Sequence, residues 1–245
     1  MKETMLYGHE EIKKEIKAIC INSKAYSIGR VRPNNFIIQL DKGNGRTTLA
    51  RYITEMFYKY NIIKFSSLDL FLEIDLDGTM NQLKESFGDI YSTSCYANSY
   101  EGIILLCVDS LSNHINEAQV DYFLKEIVKV SKTATLIFYI PENPSQNVNQ
   151  LVKKIYSVLK DTILVNENIY TEVDLALITE KLINQRGVKI INEEKFHKQL
   201  VNLIIRMEFK KISEIDKLSK ELITITDYST LTPKIDDSLL KEVNI

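Results

Sequence analysis

Between Phe36 and Arg51 the chain reads Phe-Ile-Ile-Gln-Leu-Asp-Lys-Gly-Asn-Gly-Arg-Thr-Thr-Leu-Ala-Arg, which is an apolar strand, a glycine turn and the start of a helix. A strand that feeds a helix through so tight a turn needs a sheet to join and a crossover to return, and so points to an α/β fold. The same layout belongs to phosphate-binding loops. In these, glycines let backbone N–H groups turn inward around phosphate oxygens, a Lys reaches the terminal phosphates, and a Ser or Thr holds Mg²⁺. Here Arg46 stands at the Lys position and is followed by Thr47 and Thr48. The complete pattern also asks for a Gly five residues before Gly45, where this chain has Leu40. Taken alone, Gly43 to Thr47 would better suit an ordinary strand-to-helix turn with a Thr near the helix start. What surrounds the loop decides between the two.

Ile12, Ile16 and Ile19 recur at helical spacing and predict an amphipathic helix from Gly8 to about Ser23, ahead of a first strand from Asn35 to Leu40. A helix from Arg46 to Tyr60 follows, then a second strand from Ile62 to Ser66 and a helix from Thr79 to Ser92 with Leu83, Phe87 and Ile90 on one face. Gly102 to Asp109 is almost wholly apolar, as a strand covered on both faces of a parallel sheet should be. Helix is expected again over Glu117 to Val130 and Val148 to Leu159, and strand over Thr135 to Ile140 and Thr162 to Val165. Strands separated by long crossovers predict a parallel sheet covered by helices. After Tyr170 the strand signal stops, and Thr171 to Gln185, Glu193 to Met207 and Ile212 to Thr224 read as helices. Leu175, Ile178, Leu182, Leu200, Leu203, Ile204, Ile215, Leu218 and Leu222 would line a small bundle. The expected division is an α/β body over residues 1–168 and an all-helical lid over residues 169–245.

A chain of 245 residues with 44% hydrophobic residues can bury a substantial core. Its formal charge of −2 gives no general attraction to nucleic acid or to an anionic membrane. The longest apolar run, Ile103 to Val108, is far too short to span a bilayer, and the segment opening with Lys2 and Glu3 has no apolar signal core. Cys20, Cys95 and Cys107 lack metal-type spacing. A reduced, cytoplasmic setting is therefore expected. Asp75 to Thr79 lacks the later ligands of a calcium loop, and His9, His114 and His197 show no partner pattern, so none of these predicts a metal site.

In order and spacing the motifs resemble the AAA+ ATPases, within them the group that includes red-type rubisco activase, the stage V sporulation protein K and the type VII secretion ATPases. The likeness covers nearly the whole chain. Tyr7-Gly8-His9-Glu10-Glu11-Ile12-Lys13 is similar to the family's helix-opening segment, Gly43 to Arg51 to the end of Walker A, and Ser67 to Leu70 with Gly78-Thr79 to the pore-loop segment. Glu101 to Ser110 is similar to Walker B, and Val173 to Ile223 to the lid. The resemblance implies a P-loop NTPase-like parallel five-stranded sheet with flanking helices and a helical C-terminal lid. It also implies ATP or ADP with Mg²⁺ as ligand, Gly43, Asn44, Gly45, Arg46, Thr47 and Thr48 as the nucleotide loop, and Thr47 and Asp109 on the Mg²⁺ side.

The departures fall on the chemistry. Where the family has the Glu that polarises the attacking water, Ser110 follows Asp109, and a hydroxyl is no carboxylate base. Lys154 stands at the arginine-finger position, Ser213 at the lid's sensor arginine and Asn143 at the fourth-strand sensor, and Phe71 is the nearest aromatic to the pore segment. Losing one catalytic electrostatic group commonly costs about 2.7–4 kcal/mol in the barrier, so several losses leave little hydrolysis. The sequence thus predicts a degenerate AAA+ module, a scaffold or regulator that works as a homo-oligomer or beside an active AAA+ subunit on a protein client. Two other readings stay open. One is an active ATP-driven protein remodeller in which Glu117 supplies the missing carboxylate. The other is an inactive clamp-loader-like subunit handling DNA, which the near-neutral charge opposes.

Overall fold

The apolar runs around Ile37, Leu105 and Ile137 become the inner strands of one parallel sheet. A computed structural model describes residues 6–25, 35–63, 72–75, 79–95, 102–108, 117–159, 162–166, 170–226, 233–241 and 243. Strands β1 (Asn35–Gln39), β2 (Leu72–Asp75), β3 (Ile103–Cys107), β4 (Thr135–Ile140) and β5 (Thr162–Asn166) lie in the order β2-β3-β4-β1-β5. Every neighbouring pair runs parallel, with Ile37 opposite Phe138 and Leu164, and Leu106 also opposite Phe138. The helices are α1 (Glu10–Ala25), α2 (Arg46–Lys59), α3 (Met80–Cys95), α4 (Glu117–Val130), α5 (Gln146–Val158), α6 (Glu172–Gln185), α7 (Glu193–Met207) and α8 (Ile212–Thr224).

The side-chain period of two sorts the sheet into two apolar faces. Ile37, Ile104, Leu106, Leu136 and Phe138 join Phe87, Phe123, Ile127, Val148 and Ile155 of α3, α4 and α5 in one core. The alternate residues Phe36, Ile38, Leu105, Ile137 and Tyr139 are equally buried. Phe57 of α2 meets Phe36 there, with ring centroids 6.2 Å apart.

The second strand differs from the sequence expectation. Ile62 and Ile63 are not in a strand, Lys64 to Ser66 lie outside the described residues, and β2 is Leu72–Asp75 instead. The reason is the end of α2. Asn61 takes a left-handed φ of 57°, its N–H bonds the Tyr58 carbonyl at 3.0 Å, and the Ile62 N–H bonds the Phe57 carbonyl at 2.8 Å. That is a Schellman stop, which commits the Ile62 amide to the helix; Ile63 after it is buried.

The chain divides into two compact units. The first comprises Met1–Leu6, Glu10–Lys42 and Arg46–Glu167; the second comprises Tyr7–His9, Gly43–Gly45 and Asn168–Ile245. In the second, Leu175, Phe196, Leu200, Leu203, Ile204, Ile215, Leu218 and Leu222 form the core, with Ile178 and Leu182 packed on it half-buried. Helix α6 starts at a reciprocal capping box of Thr171 and Asp174 and stops at Gly187, whose φ is +82°. This part is helical but not wholly so. β6 (Lys189–Ile190) pairs in parallel with β7 (Lys234–Ile235), and Ile190 and Ile235 extend the bundle core. Two-residue strands carry no periodicity, so the sequence could not announce them.

Candidate functional site

In the first unit the chain leaves β1 at Leu40, whose N–H continues the ladder to the Ile140 carbonyl at 2.8 Å and whose side chain is fully buried. It returns at Arg46, the first residue of α2. Arg46 is only 8% exposed, which is unusual for a guanidinium and decides how this residue is read. Its Nε donates to the Leu40 carbonyl at 2.7 Å, and its guanidinium carbon lies 5.4 Å from the centroid of the Tyr139 ring. The Tyr139 hydroxyl donates in turn to the Arg46 carbonyl at 2.7 Å. Thr47 and Thr48 follow with exposed side chains in the first turn of α2, which holds no acidic residue.

In the second unit Gly43 and Gly45 adopt φ values of +93° and +83°, a left-handed turn that suits glycine. A Cβ on Gly45 would lie 2.8 Å from the Tyr170 hydroxyl and 3.3 Å from Ile212 Cδ1. The Tyr170 hydroxyl donates to the carbonyl of Asn44, itself buried, at 2.8 Å. The same oxygen lies 2.9 Å from His9 Nε2. Because the hydroxyl has one proton and a carbonyl only accepts, Nε2 of His9 carries the hydrogen and donates to Tyr170. His9 is fully buried, edge-on to Tyr170 at 5.2 Å between centroids. The Gly8 N–H reaches Asp174 Oδ1 at 3.2 Å, and Lys181 Nζ lies 5.5 Å from the Tyr7 ring centroid. Thus Tyr7 to His9 is fastened to α6 by a cation–π contact and one hydrogen bond, and to Tyr170, just ahead of that helix, by a second hydrogen bond.

In the chain the two left-handed glycines come before Arg46, where a phosphate loop would have its glycines and its cation. Arg46 itself is turned inward onto a carbonyl and a ring. Asp109, Ser110, Phe71, His114 and Ser67 to Leu70 lie outside the described residues. Lys154 is exposed on α5, Asn143 is exposed after β4, and Glu117 is exposed at the first position of α4. Ser213 is exposed too, its Cβ 3.8 Å from where a Cβ on Gly43 would stand. His197 Nδ1 pairs with Glu180 Oε1 at 2.9 Å, and burial followed by the opposing His197 contact leaves the Glu180 carboxyl above its ordinary pKa. Among the described residues no group of three or more His, Cys, Asp or Glu could hold a metal ion.

Sequence reasoning singled out Gly43 to Thr48 but missed Tyr139, whose hydroxyl bonds the Arg46 carbonyl, and Tyr170, whose hydroxyl bonds the Asn44 carbonyl. Tyr139 left a faint sign. A phenol inside a strand buried on both faces must find a hydrogen-bond partner, and the nearby helix start offered one.

No family model and no curated protein matches the chain. Solved structures do. AMPPCP-bound DnaA from Aquifex aeolicus aligns with a TM-score of 0.54 at 16% identity, over 91% of this chain and 63% of that one. The replication initiator DnaA bound to AMPPCP and single-stranded DNA gives a TM-score of 0.54 at 16% identity, over 90% and 63%. A DNA replication initiation factor gives 0.55 at 14%, over 89% and 61%. The chain therefore spans less than two thirds of the length of these three chains. The likeness is one of fold: a parallel sheet flanked by helices, followed by a helical C-terminal part.

Proposed function

We propose that this chain is a degenerate AAA+ module, a scaffold or regulator within an oligomeric protein-remodelling or assembly complex, that binds adenine nucleotide weakly and hydrolyses it poorly. One observation carries the reading: the AAA+ frame and its glycine turn are kept while Ser110 occupies the place of the water-polarising carboxylate. The inward Arg46 and the exposed Lys154, a point charge without a planar fork, support it. Within this reading the nucleotide contacts are Gly43 to Thr48, the Mg²⁺ side is Thr47 and Asp109, and the boundary between body and lid falls at residue 168. The motif order supports kinship with the rubisco activase, sporulation protein K and type VII secretion group, and with it a ring of like subunits or an active partner. A cytoplasmic setting is supported by sparse cysteines, of which Cys20 is buried with its thiol pushed up to about 11, and by the lack of any membrane-length apolar helix among the described residues.

The test is steady-state ATP turnover by the full chain at millimolar Mg-ATP. Turnover at background is expected; a substantial rate that Asp109→Ala abolishes would rule the proposal out. If that rate also fell with Glu117→Gln, the active-remodeller reading would replace it. A second reading follows from the initiator that was solved with single-stranded DNA. Opposed by the charge of −2, it requires DNA binding that weakens steeply with salt.

A further inference from the structure

Arg46 is a cation at the first position of α2, where the helix dipole disfavours positive charge, and no acidic residue shares that first turn. A long basic side chain in such a place ordinarily carries its charge out to water. Arg46 goes the other way. It is buried, its Nε is bonded to the Leu40 carbonyl six residues back, and its guanidinium lies over Tyr139. The Tyr139 hydroxyl closes the figure by bonding the Arg46 carbonyl, and Tyr139 itself is fully buried in β4. Leu40, Arg46 and Tyr139 therefore form a closed triangle of two hydrogen bonds and one ring contact, at the two points where the loop leaves β1 and enters α2.

A phosphate-reaching lysine uses one compact, rotatable ammonium, free to swing to the ligand. The geometry here uses what only arginine has, an Nε donor partway along the stem and a flat cation beyond it. One atom ties to Leu40 while the plane rests on the ring. We propose that Arg46 is an internal strut that holds residues 40 to 46 in a closed turn with no nucleotide present, and that this commitment, rather than arginine's length, weakens triphosphate binding. Lysine at the same position cannot make both contacts at once, so the substitution frees a cation for phosphate. The inference rests on the degenerate AAA+ reading above and deepens it by naming the residue that sets nucleotide affinity.

The experiment is calorimetric titration of the full-length wild type, Arg46→Lys and Arg46→Met with Mg-ATP, with adenosine as a control that lacks phosphate. Arg46→Lys should bind Mg-ATP about tenfold or more tightly than the wild type, at unchanged adenosine affinity. Arg46→Met should lower the nucleotide-free Tm by about 2–4 °C. Equal or weaker Mg-ATP binding by Arg46→Lys would overturn the strut, as would a nucleotide-free Tm of Arg46→Met equal to that of the wild type. Hydrogen exchange on the wild type keeps the question open to test if Arg46→Lys does not fold. Amides 43 to 48 already protected without nucleotide, and unchanged by Mg-ATP, support the strut; protection that appears only with Mg-ATP refutes it. Substantial wild-type turnover would instead defeat the reading on which the inference rests, whereas background turnover with no gain in Arg46→Lys defeats the strut alone.

Discussion

Gly45 was legible in the sequence and Tyr170 was not, and the structure makes them one feature. A glycine beside a helix start announces a positive φ, and the observed +83° is such a value. Nothing in the order of residues announces that a tyrosine hydroxyl from position 170 stands 2.8 Å from where its Cβ would be. Gly45→Ala should therefore cost more than the roughly 1–2 kcal/mol of a left-handed backbone, because the methyl also displaces the hydroxyl from Asn44. Tyr170→Phe should cost about 1–2 kcal/mol, since it removes the donor to Asn44 and the acceptor for His9. The pair must couple. In the Tyr170→Phe background the alanine no longer meets the hydroxyl, so the double variant should be less destabilised than the sum by about 0.5 kcal/mol or more. Urea denaturation of the four proteins reads this directly, and simple additivity would mean that the hydroxyl does not press on the loop.

Helices were the easiest elements to place, because a 3.6-residue apolar period over three or four turns repeats often enough to fix both face and ends. The expected spans Glu117 to Val130, Glu193 to Met207 and Ile212 to Thr224 coincide with α4, α7 and α8. The β-branched pair Ile62-Ile63 misled because a Schellman stop had already claimed the Ile62 amide, and backbone bonds of that kind leave little trace in composition. On α4 the apolar face holds one misfit. Glu126 is 4% exposed among Phe123, Ile127 and Val130, bonded to Lys129 at 2.7 Å and to the Tyr91 hydroxyl of α3. Burial pushes its carboxyl up, but the Lys129 and Tyr91 hydrogen bonds outweigh burial and hold it below the usual value of 4.5. The Tyr91 phenol is pushed up, by burial first and then by Glu126. A carboxyl whose folded pKa is depressed binds protons less readily than in the unfolded chain. Its contribution is present above about pH 4.5 and lost as the pH falls through the lower folded value. Glu126→Gln should flatten the stability-against-pH curve in that acid window, and should also lower stability at pH 7 by weakening the link to Lys129. Denaturation midpoints from pH 3 to 7 check both, and parallel curves for the two proteins would deny Glu126 this role.

At the scale of the molecule, the alternation of strands and helices was legible because each of the first four sheet strands is followed by a crossover helix long enough to show its own period. The catalytic inventory was legible only as substitutions at expected places, since Ser110 and Arg46 announce what they lack but not where their side chains lie. The proposed reading implies two different losses, which would act at different steps. On that reading Arg46, drawn onto Leu40 and Tyr139, would limit binding, while Ser110 would limit activation of water. Steps in series cannot be restored one at a time. Ser110→Glu alone should leave turnover at background, because little nucleotide reaches the site, and Arg46→Lys alone should bind Mg-ATP without hydrolysing it. The double variant should show turnover above either single variant by a factor on the order of 10²–10⁴, the usual worth of a positioned general base. Phosphate release at saturating Mg-ATP, together with a binding titration for each protein, measures the two steps separately. If Ser110→Glu alone reaches the rate of the double variant, Arg46 is no obstacle to nucleotide. If the double variant binds tightly yet stays at background, the missing carboxylate is not what limits hydrolysis, and the other altered positions, Lys154 and Ser213, are the next to restore.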